Sequence, residues 1–185
     1  MILFVNACVR IESRTNRLAA CLLEKLDGDV EEIKLGEIEF PPVSEAFLCK
    51  RDGLIEKKAY DHPLFTMARQ FAEADEIVIA APYWDLSFPA ALKQYIEQIN
   101  VVGITFEYSP EGVPLGLCKA RKLYYITTAG GNYVQEDFGF GYVKALAQGF
   151  YGIPEIKLVK ATGLDIDGAD VEQILMEAIQ RIRSC

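Results

Sequence analysis

Histidine is almost missing from this chain, with one residue, His62, among 185. Five cysteines are present, at 8, 21, 49, 118 and 185, but no two stand at Cys-x-x-Cys spacing. Together these shortages exclude a zinc site and a thioredoxin-type dithiol. An odd number of cysteines without a disulfide framework fits a reducing cytosol, so a cytoplasmic location is expected. With Cys185 as the last residue, no prenylation box is expected. Positive charge is also short: 19 Lys and Arg stand against 27 Asp and Glu, a net charge of −8. That balance argues against nucleic acid as a partner, since nucleic acid rewards basic faces. It leaves room for an anionic cofactor, because backbone N–H groups at a helix start can hold a phosphate. Long apolar runs are absent, and Met1-Ile-Leu-Phe-Val5 gives way to polar residues at Asn6 and Arg10. The run is too short for a signal peptide, and no membrane span is expected. The pattern Gly-x-Gly-x-x-Gly is missing, which weakens a dinucleotide-binding reading. There is no internal repeat or low-complexity linker, so a single domain over 1–185 is expected.

What is there alternates. Ile2–Asn6 reads as a strand, and apolar positions at 18, 19, 22, 23 and 26 give Thr15–Leu26 one helical face. Val30–Leu35 is a second strand, polar enough for a sheet edge. Residues 36–60 carry Pro41-Pro42 and scattered charge, and read as a loop with short helical pieces. Helical Pro63–Ala74, a strand at 76–81 and helical Phe88–Ile99 follow. Ile104–Tyr108 and Val113–Leu117, around Ser109-Pro-Glu-Gly112, predict an inserted β-hairpin. Lys122–Thr127 is a strand, Gln135–Phe150 a helix, Glu155–Lys160 the last strand. An apolar stripe from Val171 to Ile182 closes the chain. Five strands alternating with helices imply an α/β three-layer sandwich with a parallel sheet. The polar and aromatic loops follow strands 1, 3 and 4, as the flavodoxin-like order 2-1-3-4-5 requires of a ligand site.

Each of the three loops suits one part of a flat, phosphorylated ligand. After strand 1, Ser13, Arg14 and Thr15 place hydroxyls and a charge at a helix start, where free N–H groups favour an anion. Ser13 could equally be an ordinary N-cap. After strand 3, Pro82-Tyr83-Trp84-Asp85-Leu86 offers aromatic walls for a ring such as isoalloxazine. Asp85, which only accepts hydrogen bonds, could meet the ring N3–H, repel a reduced anionic flavin, or cap the helix near Phe88. After strand 4, in Thr128-Ala129-Gly130-Gly131, the paired glycines let the backbone approach a ligand closely and the Thr128 hydroxyl could bond its ring or ribityl chain, a plain strand–helix connection being the alternative. Tyr133, Phe138, Phe140 and Tyr142 follow as an aromatic rim, with packing expected for at least half of them. His62 precedes Pro63 and reads as a helix-start residue.

Ala80-Ala-Pro-Tyr-Trp-Asp-Leu-Ser-Phe-Pro-Ala-Ala-Leu-Lys93, Gly103-Ile-Thr-Phe106, Ile126-Thr-Thr-Ala-Gly-Gly131 and the segment Ser13–Leu18 resemble the FMN-dependent NADH azoreductases. These are a branch of the flavodoxin-like NAD(P)H:quinone oxidoreductases. The likeness is strongest over 76–163 and weakest over 36–60. It implies a homodimer with one FMN per subunit and active sites at the dimer interface. It also implies phosphate contacts from Ser13, Arg14 and Thr15, ring contacts from Tyr83, Trp84, Asp85 and Leu86, and closure by Thr128, Ala129, Gly130 and Gly131. Three positions depart from better-known members. Asp85 stands for Asn, Ala129 for an Arg found in some, and Ala7 for a Ser.

The activity the resemblance implies is ping-pong two-electron transfer from NADH or NADPH, through FMN, to a quinone or azo compound. The flavin carries the redox chemistry and the protein supplies orientation, so no side-chain acid or base is required. Two rivals are a flavodoxin-type electron carrier, disfavoured by the missing Thr-Gly-rich phosphate loop, and a non-enzymatic redox-sensing member of the fold.

Overall fold

The computed structural model describes residues 1–183, and Cys185 lies outside them. Five strands, β1 (Ile2–Asn6), β2 (Val30–Lys34), β3 (Glu76–Ala80), β6 (Lys122–Thr128) and β7 (Glu155–Ala161), form one parallel sheet in the order β2-β1-β3-β6-β7. A separate antiparallel hairpin joins β4 (Phe106–Tyr108) to β5 (Pro114–Gly116). The flavodoxin-like order and the inserted hairpin are those the sequence predicts, the hairpin strands being shorter. Edge strand β2 is mostly exposed, in keeping with its Glu31-Glu32 pair.

Side chains of the central strands alternate between two cores, as pleat geometry requires. Leu3, Val5, Ile77, Ile79, Leu123 and Tyr125 face one way. They meet Phe71 of α3 (Thr66–Glu73), Leu92, Tyr95, Ile96 and Ile99 of α4 (Ala90–Ile99), and Val143 and Ala147 of α5 (Phe140–Gly149). Ile2, Phe4, Val78, Ala80, Tyr124 and Ile126 face the other way. They meet Leu18, Ala19 and Leu22 of α1 (Arg14–Leu23) and Leu175, Ala178 and Ile182 of α6 (Val171–Arg183). Both faces are covered, so these strands read as continuous apolar runs.

Four sequence expectations shift. Residues 36–60 contain a twelve-residue helix, α2 (Glu45–Glu56), and not merely short pieces. Helix α1 ends at Leu23, where Lys25 N–H and Leu26 N–H turn back to Leu22 O and Leu23 O. Helix α4 begins only at Ala90, because Trp84–Ser87 forms a tight turn first. Helix α5 begins at Phe140 and not Gln135, because side chains of the 83–87 loop capture the 135–138 backbone.

Candidate functional site

Asn6, buried at the end of β1, organises the first loop. Its Nδ2 donates to Asn16 Oδ1 (3.2 Å) and Glu32 Oε1 (2.8 Å), and its Oδ1 accepts from Cys8 N–H (2.9 Å). The chain then runs outward and returns at Ser13, whose hydroxyl accepts from Asn16 N–H (3.2 Å) as the N-cap of α1. The capping role is therefore real. Buried Thr15 bonds through its hydroxyl to the Thr128 hydroxyl at 2.6 Å, which joins the first loop to the third.

The second loop is fastened from both sides. Tyr83 N–H donates to Thr128 O (3.0 Å), and the Tyr83 phenol oxygen accepts from Gln135 N–H (2.9 Å). Trp84 and Ser87 exchange main-chain bonds of 3.2 and 2.7 Å, and Ser87 Oγ donates to Phe138 O (2.6 Å). The turn tip between them holds Asp85 at φ 49° and Leu86 at φ 67°. Asp85 is thus a turn residue. The start of α4 is Pro89, without a side-chain cap, so the capping role considered for Asp85 is not found.

These loops surround a cleft of about 180 Å³. Of the residues singled out in the sequence, Ser13, Arg14, Thr15, Tyr83, Trp84, Thr128, Ala129 and Gly130 line it. Asp85, Leu86 and Gly131 are not among its lining residues. Gly131 instead accepts a bond from Gly163 N–H (3.1 Å). Val9, Arg10 and Glu12 of the first loop and Pro82 of the second, given no contact by the sequence, line the cleft as well, and sequence reasoning missed Asp165 altogether. Asp165 could have been found by the rule already used, since it too follows the carboxyl end of a parallel strand.

Donor chemistry in the cleft fits a phosphate monoester. Two hydroxyls and a guanidinium meet at a helix N-terminus whose dipole favours an anion. A Cβ at Gly130 would meet the Asp165 carboxylate where it stands. About 180 Å³ is less than the roughly 300–1,000 Å³ of whole-ligand pockets. The enclosed part therefore suits the phosphate–polyol end of a ligand, and a planar ring would continue past Tyr83 and Trp84. There the wall is open: Trp84 is 40% exposed, Leu86 46%, Phe138 58% and Tyr133 72%. Phe140 and Tyr142 pack into the core, which divides the four rim aromatics evenly. A larger apolar groove of about 310 Å³, lined by Leu22, Tyr124, Leu158, Ala178 and Ile182, lies beside β7 and α6, apart from the convergent loops.

His62 caps the 3₁₀ turn Pro63–Phe65, with Nδ1 accepting from Leu64 N–H at 3.0 Å, and has no place in the cleft. The Cys8 thiol, beside the first loop, is pushed up by burial, with opposing help from a Ser13 hydrogen bond. Cys118, under the hairpin, is pushed up to about 12 by burial.

A parallel sheet ordered β2-β1-β3-β6-β7, with a cleft and an aromatic loop at the carboxyl ends of its strands, defines an α/β protein of flavodoxin-like fold. The chain belongs to the Flavodoxin_2 family (flavodoxin-like fold), whose model matches residues 1–185. It is 34% identical to the FMN-dependent NADH:quinone oxidoreductase of Clostridium beijerinckii, over 98% of this chain and 96% of that one. It is 45% identical to FMN-dependent NADH:quinone oxidoreductase 2 of Clostridium acetobutylicum, over 66% of this chain and 63% of that one. Among solved structures, an azoreductase from Bacillus anthracis superposes with a TM-score of 0.82 at 27% identity, covering 99% of this chain and 96% of that one.

Proposed function

We propose that the protein is an FMN-dependent NAD(P)H oxidoreductase that reduces quinones and azo compounds and works as a homodimer. One observation carries the cofactor assignment: Ser13, Arg14 and Thr15, at the start of α1, line a single cleft together with Tyr83 and Trp84. When bound, FMN supplies two-electron transfer between a nicotinamide and an acceptor. The protein binds the phosphate through the first loop and orients the ring through the second. Thr128 braces both, through Thr15 Oγ1 and Tyr83 N–H. Names of relatives along the whole chain support NADH as donor and quinones as acceptors, and the azoreductase neighbour supports azo compounds.

The open wall beyond Trp84 supports the dimer. A second copy would cover Leu86, Tyr133 and Phe138 and complete a slot for a flat substrate. The four free thiols among the described residues, Cys8, Cys21, Cys49 and Cys118, support a reducing cytoplasmic setting. No helix among the described residues is long and apolar enough to cross a membrane. The charge of −8 supports small molecules and not nucleic acid as partners.

Initial rates of FMN-loaded protein with NADH, NADPH and benzoquinone test this reading. Turnover with parallel double-reciprocal lines is expected, because donor and acceptor would occupy the same slot in turn. Convergent lines would refute shared occupancy, and bound FMN without turnover would assign the chain to the electron carriers.

A further inference from the structure

The segment after β7, which brings Asp165 to the cleft lining, is pinned to the third loop by main-chain bonds. Ala129 N–H donates to Ala161 O (2.9 Å), Gly163 N–H to Gly131 O (3.1 Å), Leu164 N–H to Ala129 O (3.3 Å) and Asp165 N–H to Gly130 O (2.9 Å). This ladder fixes the backbone of Asp165. Its carboxylate rests on the bare Cα of Gly130, where any Cβ would collide with it. From there Asp165 Oδ1 accepts from Arg14 Nη1 at 2.7 Å, and the same nitrogen approaches Leu164 O at 3.4 Å. Arg14 is also the cation at the start of α1. The one guanidinium thus serves both a fixed carboxylate and the anion cradle.

We propose that Asp165 is an internal competitor for Arg14 and so sets how strongly the cleft prefers a phosphorylated flavin to the same flavin without phosphate. This rests on the FMN reading above. The charges lining the cleft are balanced, with Arg10 and Arg14 against Glu12 and Asp165. A phosphate dianion arriving at Ser13 and Thr15 must draw Arg14 from Asp165 or share it, and it meets the carboxylate as a like charge in either case. Both members of the pair are partly exposed, so the exchange needs only a side-chain rotation and not an opening of the fold. Riboflavin, which brings no charge to this end, is indifferent to the competitor. Asp165 is therefore a specificity-determining residue, acting by charge on the bound phosphate and by pairing on Arg14.

The test compares FMN and riboflavin dissociation constants, read by quenching of flavin fluorescence, for the full-length apoprotein and its Asp165→Asn variant. Asparagine keeps the shape and the main-chain bond to Gly130, and loses the charge. FMN should bind at least about fivefold more tightly to the variant, while riboflavin stays within about twofold. Raising salt should weaken FMN binding more steeply in the variant than in the parent, where salt weakens the competing pair as well. An unchanged or smaller FMN-to-riboflavin preference in Asp165→Asn would overturn the proposal. So would equal loss of both flavins in Asp165→Asn and Asp165→Ser, which would make Asp165 a wall residue only. Failure of the underlying reading looks different. If neither the parent nor Asp165→Asn prefers FMN to riboflavin, or Ser13→Ala leaves that preference intact, the phosphate cradle itself is wrong. If Ser13→Ala erases the preference and Asp165→Asn does not change it, only the competitor falls.

Discussion

Leu86 holds a backbone conformation that its own side chain opposes. It lies at φ 67°, directly after Asp85 at φ 49°. A residue with a Cβ in this left-handed region costs roughly 1–2 kcal/mol. Two-residue turns of this hand favour Asn-Gly or Asp-Gly. Asp85 occupies the first place as preferred, while Leu86 stands where glycine belongs. The turn is nevertheless well tied, by the Trp84–Ser87 exchange and by Ser87 Oγ to Phe138 O. Its strain is held at the rim of the cleft, a common place for it. Leu86→Gly is therefore expected to raise the unfolding free energy by about 0.5–1 kcal/mol, the relief being offset in part by glycine's freedom in the unfolded chain. Urea denaturation of the two proteins measures this. A lower midpoint for the glycine variant would mean that packing by Leu86 outweighs its backbone strain.

Among the helices, α2 is held least. It has no buried residue, while β1 is buried throughout and β3 and β6 nearly so. Its anchors are Leu54, Ile55 and the following Tyr60, which pack against Phe65, Val101 and Ile104. Tyr60 lies so close on Gly103 that no side chain could stand there. Hydrogen exchange followed by mass spectrometry should show the amides of 45–56 exchanging well before those of β1, β3 and β6. Equal protection would show that α2 unfolds only with the whole molecule. The same features explain why this helix is hard to see in the sequence. Gly53 lies in its interior, where it costs about 1 kcal/mol against alanine. Its end is a left-handed cap built on Lys58, with Ala59 N–H to Leu54 O and Lys58 N–H to Ile55 O at 2.9 Å each, where glycine would have announced the stop. By contrast, β1, β3 and β6 are legible because a strand buried on both faces is a short apolar run. The loops of the site are legible because they follow such strands. What stays hidden is contact between distant segments: Thr15 with Thr128, Arg14 with Asp165, Tyr83 with Gln135. These pairings depend on how the strand ends are brought side by side, and no local pattern encodes them.

At the scale of the whole molecule, the cleft is a joint between otherwise separate parts. It is lined from the segments after β1, β3, β6 and β7, so it exists only while four of the five sheet strands are in register. A ligand held there binds the folded chain and not the unfolded one. Its binding free energy then adds to stability as RT ln(1 + [L]/Kd), about 2.7 kcal/mol at a hundredfold excess over Kd. For a chain of this size, each kcal/mol raises the melting temperature by roughly 2–4 °C, so FMN should raise it by about 5–11 °C. Ser13→Ala separates the two roles of that residue. Loss of the N-cap lowers the melting temperature with and without FMN, by the few degrees that about 1 kcal/mol implies. Loss of a hydrogen bond to a charged phosphate removes roughly 1.5–3 kcal/mol from binding alone. At the same FMN concentration, the ligand-induced rise in the variant should therefore shrink to less than about half of the parent's. Differential scanning fluorimetry with and without FMN reads both quantities from one pair of curves. A variant that melts lower but keeps the full FMN-induced rise would leave Ser13 as a helix cap and nothing more. The phosphate would then have to be sought elsewhere along the strand ends.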